Sequence, residues 1–276
     1  MSFAYRREYR GQVRLVAFDW AGTIVDFGCQ APTRAFVDLF REAGVTITPE
    51  HARGPMGIGK RKHIEALLNE PDIARAWREE HGSEPTAADG DRLYEQFHEI
   101  QVRAALDRAK MIPGALETID WLRARGARIA TNTGYFREVL EAILPVAAEQ
   151  GLDADSNVCA TDVPEARPAP WMLVVNMLET GVYPAEAVVK VGDTVPDIDE
   201  GLNAGAWTVG VVESGNGIGL REDEIADLTD AELSRRADAA RLALQRAGAH
   251  YTIPTVADLP PVIEDIEMRL HRGERP

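Results

Sequence analysis

The chain has 276 residues, of which 45% are hydrophobic and 27% are charged, a composition that excludes fibrous, collagenous and wholly disordered proteins. Its 30 Lys and Arg residues against 45 Asp and Glu residues give a net charge of −15, which argues against a protein that binds nucleic acid or an anionic membrane. No apolar run approaches the roughly 18 residues of a membrane span, and Arg6, Arg7 and Arg10 precede polar residues rather than a signal core, so we expect a cytoplasmic protein.

Short β-branched segments alternate with amphipathic segments along most of the chain, a pattern typical of parallel strands joined by helices. The predicted strands are 13–18, 127–131, 158–161, 188–191, 207–212 and 250–253. The predicted helices outside the first third of the chain are 115–125, 136–149, one charged helix over 221–249 and a last helix over 256–270. The sequence therefore predicts an α/β fold with a doubly wound, Rossmann-like parallel sheet.

Residues 30–110 interrupt this alternation, because helical patterns follow one another there without a convincing strand. Thr48-Pro49-Glu50 is typical of a helix start, and further helical patterns cover 61–68, 73–81 and 92–106. We therefore expect an α/β core domain of residues 1–30 and 110–276 and an inserted helical cap domain of residues 31–109. An insert at this position would cover the carboxyl ends of the strands, where ligands bind in open α/β sheets.

Carboxylates follow two of the predicted strands. Asp19 ends the first strand on a small loop that contains glycine, and Asp193 follows the strand at 188–191, with Asp197 shortly after it. A lone Asp at a strand end is more often a turn residue, but two carboxylates brought together at one sheet edge repel each other unless a divalent cation lies between them. Oxygen-only ligands favour Mg²⁺, and Asp19 is also a candidate nucleophile toward phosphorus.

These residues, in this order, resemble the haloacid dehalogenase superfamily, which combines a nucleophilic Asp, a later hydroxyl residue, a Lys or Arg and a final acidic pair. Asp19 matches the nucleophile, Thr131-Asn132-Thr133-Gly134 stands where the hydroxyl motif belongs, and Arg167 can supply the positive charge. Asp193 and Asp197 complete the pattern. A single Thr would be read as a helix cap and a single Arg as a surface residue, but four matches in order argue against coincidence.

Position 21 departs from the common phosphatase pattern of that superfamily. Phosphatases place a second Asp two residues after the nucleophile, where it protonates the leaving oxygen, whereas this chain has Ala21. An ordinary phosphate ester is therefore a poor fit, and the enzyme needs a different leaving group or a different acid.

A basic segment in the predicted insert offers a different chemistry, because a lysine amine can condense with a carbonyl group to form an iminium ion. On a helix with about 100° per residue, Lys60 and His63 lie about 60° apart, whereas Lys60 and Lys62 lie about 160° apart. Lys60 and His63 can thus share a site that Lys62 cannot reach. Taken alone, such a basic segment at a helix start is more often a solvated face.

The motifs resemble one family in particular, the phosphonoacetaldehyde hydrolases or phosphonatases. The matching segments are Phe18-Asp19-Trp20-Ala21-Gly22-Thr23, Pro55-Met56-Gly57 followed by Lys60, Thr133-Gly134-Tyr135, Arg167-Pro168 with Pro170-Trp171-Met172, and Lys190-Val191-Gly192-Asp193-Thr194. The resemblance extends from about residue 13 to the last helix. It implies a Mg²⁺-dependent, usually homodimeric enzyme that converts phosphonoacetaldehyde to acetaldehyde and phosphate.

The resemblance also implies roles for individual residues. Asp19 would be the nucleophile and Lys60 the Schiff-base lysine; among the nearby residues we favour His63 as the proton carrier, because its ordinary pKa is near neutrality. The metal would be bound by Asp19, the Ala21 main-chain oxygen and Asp193, with Asp197 in an outer position. The expected residues around the phosphonate substrate are Thr131, Thr133, Gly134, Tyr135, Arg167 and Met56. For Met56 and Tyr135, ordinary packing explains the residue equally well.

Alternative functions differ from this one in the residues they require. A phosphatase or phosphomutase of the same superfamily, acting on a small phosphate ester, would need a substitute for the acid missing at Ala21. A 2-haloacid dehalogenase would not need the acidic pair, and a non-enzymatic binding protein would not need the complete set of acidic and basic residues. Cys29 and Cys159 are too far apart in the sequence to indicate a disulfide framework or a zinc site, and Cys29 is interpreted as either a buried thiol or a pocket residue.

Overall fold

The structure, a computed structural model, describes residues 8–276, so that Arg6 and Arg7, which the sequence analysis considered as the start of a signal segment, lie outside the described residues. Six strands form one parallel sheet in the order β3-β2-β1-β4-β5-β6. The strands are β1 (Leu15–Phe18), β2 (Arg128–Thr133), β3 (Ser156–Cys159), β4 (Val188–Gly192), β5 (Trp207–Val211) and β6 (Tyr251–Ile253). Each of them overlaps a strand expected from the sequence, and the predicted α/β fold with a parallel sheet is confirmed.

Strand order reverses beside β1. The chain runs from β1 through β2 to β3 on one side and then returns to β4 on the other side of β1. Every residue of β1 and β4 is buried, because helices cover both faces of the sheet. The reversal opens a crevice at the carboxyl ends of β1, β2 and β4, which is where ligands bind in sheets of this type.

Twelve α-helices lie within residues 8–276. They are α1 (Gln30–Glu42), α2 (Pro49–Arg53), α3 (Lys60–Asn69), α4 (Pro71–His81), α5 (Ala87–Asp107), α6 (Ala115–Ala124), α7 (Arg137–Glu149), α8 (Trp171–Thr180), α9 (Val195–Ala204), α10 (Glu222–Ala226), α11 (Asp230–Arg246) and α12 (Leu259–His271). Helices α1 to α5 follow β1 without an intervening strand, and we call this segment, Gln30–Asp107, the helical insert. Its division from the rest as a separate domain stays a prediction.

The helical insert has aromatic packing of its own. The Phe36 ring of α1 stacks on His63 of α3 at 3.8 Å between ring centroids and on Phe97 of α5 at 4.4 Å. Thr48 begins α2 as expected, because its side chain accepts a hydrogen bond from the His51 N–H at 3.2 Å. The insert is thus fixed internally, and it also packs on the core, where the ring of Phe136, just before α7, stacks on His98 of α5 at 3.8 Å between ring centroids.

Two stretches of the prediction are wrong in detail. The charged segment 221–249 forms two helices, α10 and α11, because Thr229 accepts a hydrogen bond from the Glu232 N–H and starts a new helix there. The final helix begins at Leu259 rather than Val256, since a 3₁₀ turn precedes it. Helices α8 and α9 were not predicted.

No helix within the described part of the chain is both long and apolar enough to cross a membrane.

Candidate active site

Three adjacent strands bring the predicted acidic and hydroxyl residues to one edge of the sheet. Phe18 of β1 lies in register with Val191 of β4 and with Thr131 of β2. Asp19 continues this pairing, because its N–H donates to the Val191 carbonyl at 2.9 Å. Asp19, Asp193 and Asp197 present oxygen atoms within 4.8 Å of one another.

One pocket at this edge is lined by residues of both the sheet and the helical insert. Its lining is Asp19, Ala21, Cys29, Pro32, Met56, Gly57, Lys60, Thr133, Gly134, Tyr135, Arg167, Asp193 and Thr194. The pocket therefore brings together every predicted site residue except His63, Thr131 and Asp197. Cys29 is buried and also faces this pocket, so both interpretations of that thiol hold.

The sequence analysis did not identify Gly57 and Thr194 as pocket residues. Gly57 has a φ of +96°, and a Cβ atom there would lie 2.3 Å from the Thr194 hydroxyl oxygen. A glycine is required because the loop of the insert passes this close to the core. The glycine in the Pro-Met-Gly motif was the available signal for this contact.

Thr133, rather than Thr131, supplies the hydroxyl at the end of β2. Strand β2 continues two residues beyond its predicted end, which carries Thr133 to the pocket. The Thr131 side chain is fully buried, and its hydroxyl donates to the Asn157 side chain at 2.7 Å. The expected contact of Thr131 with substrate is therefore not supported, since this side chain lies within the sheet and outside the pocket.

Arg167 is the main positive charge beside Asp19. Its guanidinium contacts Asp19 at 2.8 Å, Asp197 at 2.9 Å and Glu200 at 3.0 Å, and it is almost completely buried. Burial alone would lower the pKa of Arg167, but Asp197, Asp19 and Glu200 raise it, so the guanidinium stays charged. Asp197 and Glu200 thus fix the position of the guanidinium, and Arg167 also lines the pocket.

Lys190 is a second buried cation that the sequence analysis missed. Its ammonium group lies 2.9 Å from Asp197 and donates to the Asn132 side chain at 2.6 Å. Since Arg167 and Lys190 both neutralise Asp197, they hold the pKa of that carboxyl below its usual value, although burial opposes them. Asp197 therefore supports the two cations and does not line the pocket.

Asp19 and Asp193 form the remaining acidic pair. Burial raises the pKa of both carboxyl groups, and the neighbouring Asp197 raises it further in both. Asp19 also raises the pKa of Asp193, whereas Arg167 opposes the shift in the pKa of Asp19. One oxygen of Asp193 accepts a hydrogen bond from the Asn216 N–H at 2.6 Å, while the other lies 3.5 Å from the Thr23 hydroxyl. Within residues 8–276, Arg167 is the only cation paired with these two buried carboxylates, and such a pair fits a divalent cation with oxygen ligands. The cluster could therefore hold a metal ion.

Lys60 extends from the start of α3 into the same pocket. Its amine lies 5.5 Å from the centre of the Phe36 ring and 5.6 Å from that of Tyr135. Burial lowers the pKa of Lys60 to about 8, with Arg167 acting in the same direction. An amine with this pKa is partly neutral near neutral pH, which is the form that attacks a carbonyl group.

His63 and Lys62 lie where the helical spacing predicts. His63 is buried on the same face of α3 as Lys60, whereas Lys62 is exposed and pairs with Glu165 at 3.0 Å. Burial and the nearby Lys60 charge place the pKa of His63 well below its usual value, although the Ala52 main chain opposes this shift. The ring nitrogens make no well-formed hydrogen bond to the described residues. The reason for choosing His63 as the proton carrier was its ordinary pKa, and the folded chain lowers that pKa.

Comparison with known proteins agrees with this geometry. Residues 13–205 match the haloacid dehalogenase-like hydrolase family. The chain is 48% identical to the phosphonoacetaldehyde hydrolase of Hahella chejuensis over 276 residues, which is 100% of this chain and 94% of that protein. It is 47% identical to the phosphonoacetaldehyde hydrolase of Paraburkholderia phytofirmans over 96% of this chain and 99% of that protein. The crystal structure of a phosphonoacetaldehyde hydrolase-like protein from Oleispira antarctica superposes with a TM-score of 0.98, at 42% identity and full coverage of both chains.

Proposed function

The chain belongs to the phosphonoacetaldehyde hydrolase family of haloacid dehalogenase-like hydrolases, and we propose that it hydrolyses the C–P bond of phosphonoacetaldehyde to give acetaldehyde and phosphate. The observation that carries the proposal is the shared pocket of a buried amine, Lys60, and a buried carboxylate, Asp19. Among the described lining residues, Asp19 and Asp193 are the only acids, and position 21 is Ala. The pocket is thus suited to a reaction that needs an electron sink rather than a general acid.

An electron sink is needed because carbon is a poor leaving group. Direct attack on phosphorus would expel a carbanion, whereas an iminium group β to phosphorus accepts the electron pair of the C–P bond and becomes an enamine. In our proposal the neutral Lys60 amine attacks the aldehyde carbon to give a carbinolamine, whose hydroxyl takes up a proton and leaves as water, so that the iminium ion remains. The aromatic rings of Phe36 and Tyr135 keep this amine away from bulk water.

Asp19 then acts as the nucleophile. Its carboxylate oxygen bonds to phosphorus as the C–P bond breaks, and the electron pair of that bond moves toward the Lys60 nitrogen. Arg167, held by Asp197 and Glu200, stabilises the negative charge of the transferring group. Water hydrolyses the aspartyl-phosphate, the enamine is protonated on carbon, and hydrolysis of the resulting imine releases acetaldehyde and the free amine. We propose that Thr133 and Gly134 bind the phosphonate oxygens, with Tyr135 and Met56 as walls of the pocket.

The metal expected at this site is Mg²⁺. We propose that it is held by the carboxylates of Asp19 and Asp193 and by the Ala21 main-chain oxygen. When bound, it would neutralise negative charge on the two carboxylates and on the phosphonate. His63 is proposed as a positioning residue that packs with Lys60 around Phe36.

An apolar face of α8 supports a homodimer. Trp171 and Leu178 are about two helical turns apart and are 46% and 75% exposed, and Tyr183, just beyond the helix, is 68% exposed. Two large exposed apolar side chains on one face of a helix, as Trp171 and Leu178 are, favour a protein interface. Light scattering of the purified chain, which gives its mass in solution, tests the proposed dimer.

We expect simple phosphate monoesters to react much more slowly than phosphonoacetaldehyde. Ala21 cannot protonate a leaving alkoxide, and general acid catalysis contributes about 10²–10⁴-fold, so kcat/KM should differ by at least that factor. Phosphate release from phosphonoacetaldehyde and from a panel of sugar phosphates measures the difference. Comparable kcat/KM values across the panel would favour a phosphatase instead.

We expect Asp193→Asn to lose most of the activity. The substitution keeps an oxygen that can accept the Asn216 hydrogen bond but removes one of the two charges that hold the cation. Changing residues behind a metal ligand already costs about 10–100-fold, so loss of a direct ligand should exceed about 100-fold. Phosphate release is measured against Mg²⁺ concentration in parent and variant. Full activity of the parent after exhaustive chelation contradicts the metal requirement.

A further inference from the structure

The helical insert contacts the core through Arg53, the last residue of α2. The two terminal nitrogens of its guanidinium donate to main-chain oxygens on opposite sides, to Gly28 at 2.9 Å and to Gly219 at 2.8 Å. Gly28 lies in the segment that connects β1 to the insert, and Gly219 belongs to the loop after β5. Hydrogen bonds from a charged donor are about twice as strong as neutral ones, so Arg53 joins three parts of the chain firmly.

The loop after β5, Ser214–Gly219, has the shape that this contact requires. A Cβ atom at Gly219 would lie 2.5 Å from the Arg53 guanidinium carbon, so only glycine leaves room for it. Asn216 in the same loop donates its side-chain amide to the Arg53 carbonyl at 3.2 Å, and its amide oxygen lies 3.5 Å from the guanidinium. Main chain and side chain of Arg53 therefore both bind Asn216.

Asn216 also holds Asp193. Its main-chain N–H donates to one oxygen of the Asp193 carboxylate at 2.6 Å, which is the shortest hydrogen bond that this carboxylate accepts from the described residues. A Cβ atom at Gly215 would lie 2.7 Å from the Asp193 Cβ, so the loop packs directly on that side chain. The orientation of Asp193 thus depends on a loop that the core holds through Ser214, whose hydroxyl donates to the Gly22 carbonyl at 2.8 Å, and that the insert holds through Arg53.

We propose that Arg53 and Asn216 form a latch through which the docked helical insert holds the Asp193 carboxylate in position for a divalent cation. The proposal rests on the metal site of the proposed function and assigns both latch residues as positioning residues, since neither is placed against substrate. Energetic coupling between two sites is reciprocal. The docked insert should therefore strengthen Mg²⁺ binding, and Mg²⁺ should equally favour docking of the insert.

Isothermal titration of Mg²⁺ into the full chain, without substrate, tests the latch. Arg53→Met keeps an unbranched side chain but removes the guanidinium and its donors, and Asn216→Ala keeps the main-chain N–H to Asp193 but loses the side-chain contacts with Arg53. We expect each variant to weaken Mg²⁺ binding by about fivefold or more, within the usual range of coupling between sites. The double variant should weaken Mg²⁺ binding by less than the product of the two single effects, because the two residues belong to one connected set of contacts.

Arg61→Met is the matched control. Arg61, like Arg53, is an arginine of the helical insert with several partners. Its partners, Glu65, Asp91 and the Ala87 carbonyl, all belong to the insert itself, so Arg61 makes none of these contacts with the core. Its loss should leave the Mg²⁺ dissociation constant unchanged. An equal weakening in this variant would attribute the effect to general loosening of the insert and would overturn the latch.

Limited trypsin digestion gives a second readout, the protection of the insert boundary by Mg²⁺. A contact that only stabilises the fold would not make this protection depend on Mg²⁺. Lys110 is exposed in the segment that returns from the insert to the core, and its carbonyl accepts the Asp26 N–H at 3.1 Å. Mg²⁺ should slow cleavage after Lys110 in the parent, and this protection should shrink in Arg53→Met and Asn216→Ala. Unchanged Mg²⁺ affinity in both folded variants would overturn the latch alone, whereas failure of the parent to bind Mg²⁺ would overturn the metal site as well.

Discussion

Lys60→Arg is expected to abolish C–P bond cleavage while the protein still folds and still binds phosphonate. The guanidinium keeps the positive charge in the pocket. Because it stays protonated at neutral pH, it cannot condense with the aldehyde, and the electron sink is lost. Removal of a covalent catalyst that acts together with its partners costs at least about 10³-fold in kcat. Acetaldehyde and phosphate release are the measurements, with inorganic phosphate binding as the test of an intact site.

Lys62→Arg is the matched control for this prediction, because Lys62 lies two residues away on the exposed side of the same helix and pairs with Glu165. It should retain the activity of the parent. Borohydride reduction in the presence of substrate should place an alkyl group on Lys60 in both the parent and this control. An adduct on Lys62 would overturn the choice of residue, and an active enzyme without any lysine adduct would overturn the mechanism.

The sheet could be predicted from the sequence because its strands are buried on both faces. Continuous apolar runs such as Leu15–Phe18 have no other simple explanation when turn residues bound them. Helix boundaries were less certain, since they depend on single capping contacts. Thr229 splits the segment 221–249 into two helices, and nothing in the charge pattern distinguishes that Thr from its polar neighbours.

The candidate site could be predicted only where a residue follows a strand or belongs to a short motif. Asp19 and Asp193 were found in this way, but the role of Lys190 was not, because a lysine inside an apolar strand gives no sign that Asp197 neutralises it and that Asn132 accepts its hydrogen bond. The choice between Thr131 and Thr133 depended on where β2 ends, which is a matter of two residues.

His63 shows a different limit of sequence reasoning. Its spacing from Lys60 correctly placed both side chains on the buried face of α3. Its pKa, however, is set by burial against Phe36 and by the neighbouring Lys60 charge, and both are properties of the folded chain. Helical geometry can therefore be predicted from local sequence, whereas protonation depends on contacts that are distant in the chain.

Asp19→Asn is expected to stop phosphate release and leave imine formation intact. Asn has almost the same size and can still accept a hydrogen bond from Arg167, which contacts Asp19 at 2.8 Å, so the fold should not change. An amide is not a nucleophile toward phosphorus, and kcat should fall by at least about 10³-fold. Since Lys60 reacts with the aldehyde before the C–P bond breaks, borohydride should leave a phosphonoethyl group on Lys60 of this variant and an ethyl group on Lys60 of the parent. Mass spectrometry of the Lys60 peptide distinguishes the two, and phosphate release by Asp19→Asn at a rate near that of the parent would show that another group attacks phosphorus.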